Sequence, residues 1–164
     1  MHIIITGSPG VGKTSVARAL GKKLGCAVLN EKQFALEQKI GKFDPDENEL
    51  VIPLQSFAKA LDWLFSREKS VVIEGHLLCE LKTKADFVVL IRVDPAVLEA
   101  RLQARNYSEE KVQDNVFCEG SDYCKKHLLG NYPGEKIVEV QGGKSIKETL
   151  DRIVQGLKEK GAVL

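Results

Sequence analysis

Gly7-Ser8-Pro9-Gly10-Val11-Gly12-Lys13-Thr14, GSPGVGKT, decides how the rest of the chain is read. It meets every defined position of G-x-x-x-x-G-K-[ST], a loop that joins a strand to a helix and cradles phosphate. The flanks supply that context. The apolar run His2–Thr6 precedes the loop, and Gly12–Leu24 follows with Val16, Ala17, Leu20 and Leu24 at helical spacing. Glycines permit the tight turn and let successive N–H groups, here of Gly10, Val11 and Gly12, point inward. The helix N-terminus adds partial positive charge. Lys13 then neutralises the β and γ phosphates, Thr14 offers its hydroxyl to Mg²⁺, and Ser15 adds a second hydroxyl to the phosphates. A chance glycine-rich turn explains the pattern but not the context, so the expectation is a site for a nucleoside triphosphate with Mg²⁺.

Outward from the loop, short apolar runs alternate with helical patterns. Strands are expected at His2–Thr6, Ala27–Asn30, Ser70–Glu74, Phe87–Val93 and Lys136–Val140. VVI and FVVLI are nearly unbroken apolar runs, as in strands covered on both faces. Helices are expected at Gly12–Leu24, Ser56–Ser66, Pro95–Arg105 and Ser145–Lys160, with Asp94-Pro95 as N-cap and first-turn proline of the third. Such alternation predicts an α/β fold: a three-layer α/β/α P-loop NTPase with a five-stranded parallel sheet, binding its ligand at the carboxyl ends of the strands. One domain over residues 1–164 is expected from the length. Gly41–Pro53, GKFDPDENELVIP, reads as an acidic, solvated connector.

Hydrophobic residues at 43% and charged residues at 29% fit a soluble globular chain, and a formal charge of +1 gives no electrostatic case for nucleic acid or acidic membranes. No apolar run approaches the roughly 18 residues of a membrane helix. A cytoplasmic monomer without a membrane partner is expected. Cys26, Cys79, Cys118 and Cys124 form no C-x-x-C pair, so free thiols are expected. Cys118, Cys124 and His127 lie close in sequence, but a fourth ligand and the usual zinc spacing are missing.

GSPGVGKTS, the EGH of Glu74–His76, and ARLQARNYSEEKVQDNVFCE at Ala100–Glu119 together resemble one family. It is the archaeal and nuclear type of adenylate kinase, the isoenzyme-six family, a P-loop nucleoside monophosphate kinase also linked to small-ribosomal-subunit maturation. The resemblance runs from Met1 to about Gly161 and is weakest over Asn30–Pro53. Arg101 and Arg105 are four apart, which on a helix puts them on one face. A guanidinium stacks on bases or forks onto phosphate oxygens. By themselves they read as surface arginines. The resemblance implies that Arg101 lies against the adenine, that Arg105 reaches the transferring phosphates, and that residues 99–109 form a short lid. The family usually has glycine where Asn106 stands, and asparagine tolerates the left-handed turn. Asp114, Asn115, Cys118 and Glu119 read as packing that supports the lid. The Gln141–Lys144 loop has an implied place at the adenine edge, though an ordinary turn explains its glycines equally well.

On the acceptor side the match thins. Residues 30–53 would bind the monophosphate, yet the family's arginine position holds Leu36 within NEKQFALEQKIG, a helix expected at Asn30–Gly41. The nearest cations are Lys32, Lys39 and Lys42, point charges that neutralise phosphate but cannot fork onto it, and Lys32 and Lys39 are expected to meet the monophosphate. In VVIEGH, Val71–His76, Glu74 takes the place of the acid that holds the water shell of Mg²⁺, where the family commonly has aspartate. His76 is expected to position an attacking water or to hold that acid; a plain strand-end histidine is the alternative. The implied function is phosphoryl transfer from ATP to AMP or another monophosphate, with ATPase activity and a role in late 16S/18S rRNA maturation. Two rivals stand beside it: mainly an ATPase assembly factor acting on ribosomal protein S11 of the immature small subunit, or a small-molecule kinase of the shikimate or gluconate type.

Overall fold

A computed structural model describes residues 1–46 and 49–164, with Glu49 described for its backbone only. In chain order the elements are β1 His2–Thr6, α1 Lys13–Leu24, β2 Ala27–Asn30, α2 Glu31–Glu37, β3 Lys42–Asp44 and β4 Glu49–Val51. Then come α3 Leu54–Arg67, β5 Val71–Glu74, a 3-10 turn at Leu77–Glu80, β6 Phe87–Arg92, α4 Pro95–Gln103 and α5 Glu109–Gly120. The chain closes with α6 Tyr123–Asn131, a 3-10 turn at Gly134–Lys136, β7 Ile137–Gln141 and α7 Ile146–Glu159.

β2, β5, β1, β6 and β7 form one sheet in that order, every neighbouring pair parallel. The expected α/β fold with its five parallel strands is therefore what the chain adopts. Successive strand side chains face opposite sides of a sheet. Accordingly Ile3, Ile5, Val72, Val89 and Ile91 pack under α1, α4 and α7, while Ile4, Ile73, Val88 and Leu90 pack under α3 and α6. Ile3, Ile4 and Ile5 are fully buried. Each such side chain contributes roughly 1.5–3 kcal/mol, against about 1–2 kcal/mol for fixing a residue's backbone. Burial on both faces thus holds β1 at the centre and aims its carboxyl end into the phosphate loop.

Local sequence departs from the expectations in four places. The helix expected at Asn30–Gly41 ends at Glu37, because Lys39 turns left-handed at φ 55 and Ile40 N–H donates back to Ala35 O. The connector Gly41–Pro53 is not wholly irregular: β3 and β4 pair antiparallel within it, while its Glu47 and Asn48 lie outside the described residues. Arg105 is not on the α4 helix, which stops at Gln103, but in the turn that follows, from where it still lines one groove with Arg101. Asn106 takes the left-handed conformation there, φ 57, as its residue type allows. Finally, α6 was not anticipated; its side chains Cys124 and Leu128 are its buried anchors.

Gly21 lets α1 lie close on β2, since a Cβ there would overlap Val28 Cγ2. Gly21→Ala gains about 1 kcal/mol of helix propensity but overpacks this contact at a cost of roughly 1–3 kcal/mol. Net destabilisation in urea unfolding is expected, and a more stable variant would contradict this packing account.

Candidate nucleotide site

The carboxyl ends of β1, β2 and β5 open into a cavity of about 730 Å³. Its floor is the phosphate loop and its far wall is formed by Arg105, Tyr107 and the α5 residues Glu110, Lys111 and Asp114. The loop is shaped by residues that only glycine suits: Gly10 and Gly12 have φ of 94 and 100. Lys13 Nζ donates to the carbonyls of Gly7 at 2.9 Å and Ser8 at 3.0 Å. Burial pushes its ammonium below the ordinary lysine value of 10.5, and the charges of Glu31 and Glu74 pull it part of the way back.

Parallel register sets the acid beside the loop. Glu74 is level with Ile5 of β1 and Asn30 of β2. Its Oε1 accepts from Thr14 Oγ1 at 3.0 Å and from Asn30 Nδ2 at 2.7 Å. A serine- or threonine-type hydroxyl beside a carboxylate is a hard oxygen donor pair, which fits Mg²⁺ held largely through its waters. Thr14 and Glu74 are the residues that would hold it.

Glu31, the first residue of α2, was missed by sequence reading. It is buried, with 2% exposure, and its partners lie across the sheet. Oε1 accepts from His76 N–H at 2.9 Å and lies 2.7 Å from His76 Nδ1, while Oε2 accepts from Leu77 N–H at 3.0 Å. Gly75 makes this possible, because a Cβ there would overlap the carboxylate. Asn30 was likewise missed; its Oδ1 caps α2 through Lys32 N–H and Gln33 N–H while its amide steadies Glu74.

Glu119 has a sharper role than lid packing. Buried at the end of α5, it accepts from Ser8 Oγ at 2.6 Å, Arg92 Nε at 2.7 Å and Val93 N–H at 3.1 Å. It thereby ties the phosphate loop to β6 and α5. Close by, the thiols of Cys79 and Cys124 lie together: their mutual hydrogen bond and burial both push Cys79 up, while the same hydrogen bond draws Cys124 down against the opposing effect of burial.

Of the residues singled out from sequence, Gly10, Gly12, Lys13, Thr14, Ser15, Lys32, Glu74, His76 and Arg105 line the main cavity. Val11 and Arg101 line an adjoining groove of about 280 Å³, closed by Gly142–Ile146, and Arg105 borders both spaces. Lys39 lines neither. Leu36 is exposed.

Replacing Glu119 with alanine strips the acceptor from Ser8, Val93 and Arg92 at once. A loss of roughly 3–5 kcal/mol in urea unfolding is expected, the range for breaking a buried ion pair. A loss below about 1 kcal/mol would show that this carboxylate does not secure the loop.

Comparison with known proteins agrees with this geometry. Residues 3–122 match the family described as "AAA domain". A Pyrococcus furiosus protein described as "Putative adenylate kinase" is 37% identical over 169 residues, spanning 100% of this chain and 90% of that protein. A Thermococcus kodakarensis protein with the same description is 36% identical, spanning 100% of this chain and 92% of its own length. Among solved structures, a shikimate kinase from Bacteroides thetaiotaomicron superposes with a TM-score of 0.68 over 96% of this chain and 98% of that one, at 15% identity, which is a likeness of fold alone. Because the family match covers most of the chain and the archaeal relatives align with it end to end, this chain belongs to the AAA-domain family and to the archaeal group whose members carry that kinase description.

Proposed function

We propose that this protein is a nucleoside monophosphate kinase that transfers the γ-phosphoryl of ATP to AMP or another monophosphate, and that it also hydrolyses ATP. The observation that carries the reading is the single cavity in which Lys13, the Thr14–Glu74 pair and Arg105 face one space. Phosphoryl transfer needs positioning and charge neutralisation more than covalent chemistry from the protein. Lys13 neutralises the β and γ phosphates and Arg105 the charge that develops on the transferring group. Backbone N–H groups of Gly10–Ser15 fix the phosphates, and Arg101 flanks the base in the adjoining groove. Mg²⁺, held by Thr14 and Glu74, supplies further neutralisation of the phosphate oxygens when bound. Residues 99–109 act as a lid whose closure excludes water. Residues 30–53 form the monophosphate segment of this single kinase domain, with Lys32 the nearer cation and Lys39 serving only if the segment moves toward the cavity. In this reading the protein works as a cytoplasmic monomer.

A second reading, of an assembly ATPase within the isoenzyme-six group, draws support from the same cavity. Glu31, Lys32 and His76 line the same cavity as the phosphate loop, and the side chain at 36 is leucine. Hydrolysis would then drive a switch on ribosomal protein S11 during late small-subunit maturation. The small-molecule kinase reading has only a likeness of fold behind it.

Titrating AMP, CMP, UMP and GMP, with and without the S11 protein, separates the two. Monophosphate-dependent ADP formation is expected. Its absence for all four, with a rate that changes only on adding S11, would overturn the kinase reading. Lys13 provides a second check. Its value is depressed before binding and the triphosphate raises it. ATP affinity is therefore full below the depressed value and declines as pH rises through it, with proton uptake on binding in that window. Calorimetry in buffers of different ionisation enthalpy should record the uptake; proton release would contradict it.

A further inference from the structure

His76 does not stand alone at the cavity edge. We infer that Glu31 is a positioning residue for ATP hydrolysis: it holds the His76 ring by Nδ1 so that Nε2 meets the attacking water. The inference deepens the proposed function and rests on its ATPase half.

Three observations carry it. His76 Nδ1 lies 2.7 Å from Glu31 Oε1, and the same oxygen accepts His76 N–H at 2.9 Å, so ring and backbone are gripped together. Glu31 is 2% exposed and is itself held by Leu77 N–H at 3.0 Å, so it has no freedom to release the ring to solvent. The His76 side chain is 38% exposed and borders the cavity, and Nε2 has no hydrogen bond among the described residues. A carboxylate accepts and does not donate, which puts the hydrogen on Nδ1 and leaves a lone pair on Nε2. That lone pair accepts a hydrogen bond from water and turns its oxygen toward the γ-phosphorus. As the oxygen bonds to phosphorus, the bond to the β,γ-bridging oxygen breaks and its electron pair leaves on ADP; the water's protons end on inorganic phosphate and solvent. Gly75 is the third part of the device, since any side chain there would expel the Glu31 carboxylate.

The test needs two measurements. The chain has 3 histidines, so ¹⁵N-detected imidazole spectra are readily assigned with His76→Ala as reference. At a pH where the rings are neutral, wild-type His76 should show the Nδ1–H tautomer; the Nε2–H tautomer overturns the inference, and this arm requires no folded variant at position 31. In single-turnover hydrolysis, Glu31→Gln should lower the rate about 10–100-fold, the range for lost outer-shell partners. ATP affinity should stay within about twofold, and the Glu31→Gln/His76→Ala pair should be no slower than His76→Ala alone. Multiplicative losses, or parallel loss of ATP affinity, would show a structural role only and overturn it, as would a wild type that does not hydrolyse ATP. Transfer to AMP is scored separately: its absence alongside the expected hydrolysis pattern removes the kinase reading and leaves Glu31 in place. Transfer that is present while Glu31→Gln hydrolyses normally does the reverse.

Discussion

Parallel pairing holds Glu74 level with Ile5 on one side and Asn30 on the other, and the whole site hangs on that row. A shift of one residue in β5 would turn Glu74 to the opposite face, because strand side chains alternate. The apolar run before it prevents the shift: Val71, Val72 and Ile73 are all buried, with Val72 packed on one side of the sheet and its neighbours on the other. Register set by hydrophobic burial therefore determines where a carboxylate meets the Thr14 hydroxyl.

Around that row stand three buried carboxylates, Glu31, Glu74 and Glu119, each 2–3% exposed. Isolated buried charge is costly, and each of these is compensated by specific donors. Glu31 takes two backbone N–H groups and an imidazole, Glu74 a hydroxyl and an amide, and Glu119 a hydroxyl, a guanidinium and a backbone N–H. The donors come from β2, α1, the phosphate loop, β6 and the turn after β5. The carboxylates thus cross-link the segments that must keep their relative positions when phosphate binds. Lys13 sits among them with its ammonium depressed by burial, ready to gain from any phosphate that replaces lost hydration.

Fold and phosphate loop were legible because their signals are local. Four helix patterns and five apolar runs appear at nearly their observed bounds, and the loop motif carries its own context. The hairpin of β3 and β4 was not legible, since three-residue strands carry too little periodicity to be told from a polar connector. Nor was the end of α2, where the pattern runs on through Gln38 and only the left-handed turn at Lys39 stops it. Lys39, at that turn, does not line the cavity.

Sequence by itself determined the α/β architecture, the phosphate loop and the acid at the end of β5, because each rests on a local pattern; spacing alone left Arg101 and Arg105 as surface arginines, and only the family resemblance implied a place for them at the site. Only the tertiary structure decided what Glu31 and Glu119 do. Glu31 lies 45 residues from His76, and Glu119 lies 111 residues from Ser8. No local pattern distinguishes a buried carboxylate with distant donors from a solvated one on a helix surface. Their meaning comes from chain crossings that the folded sheet brings together.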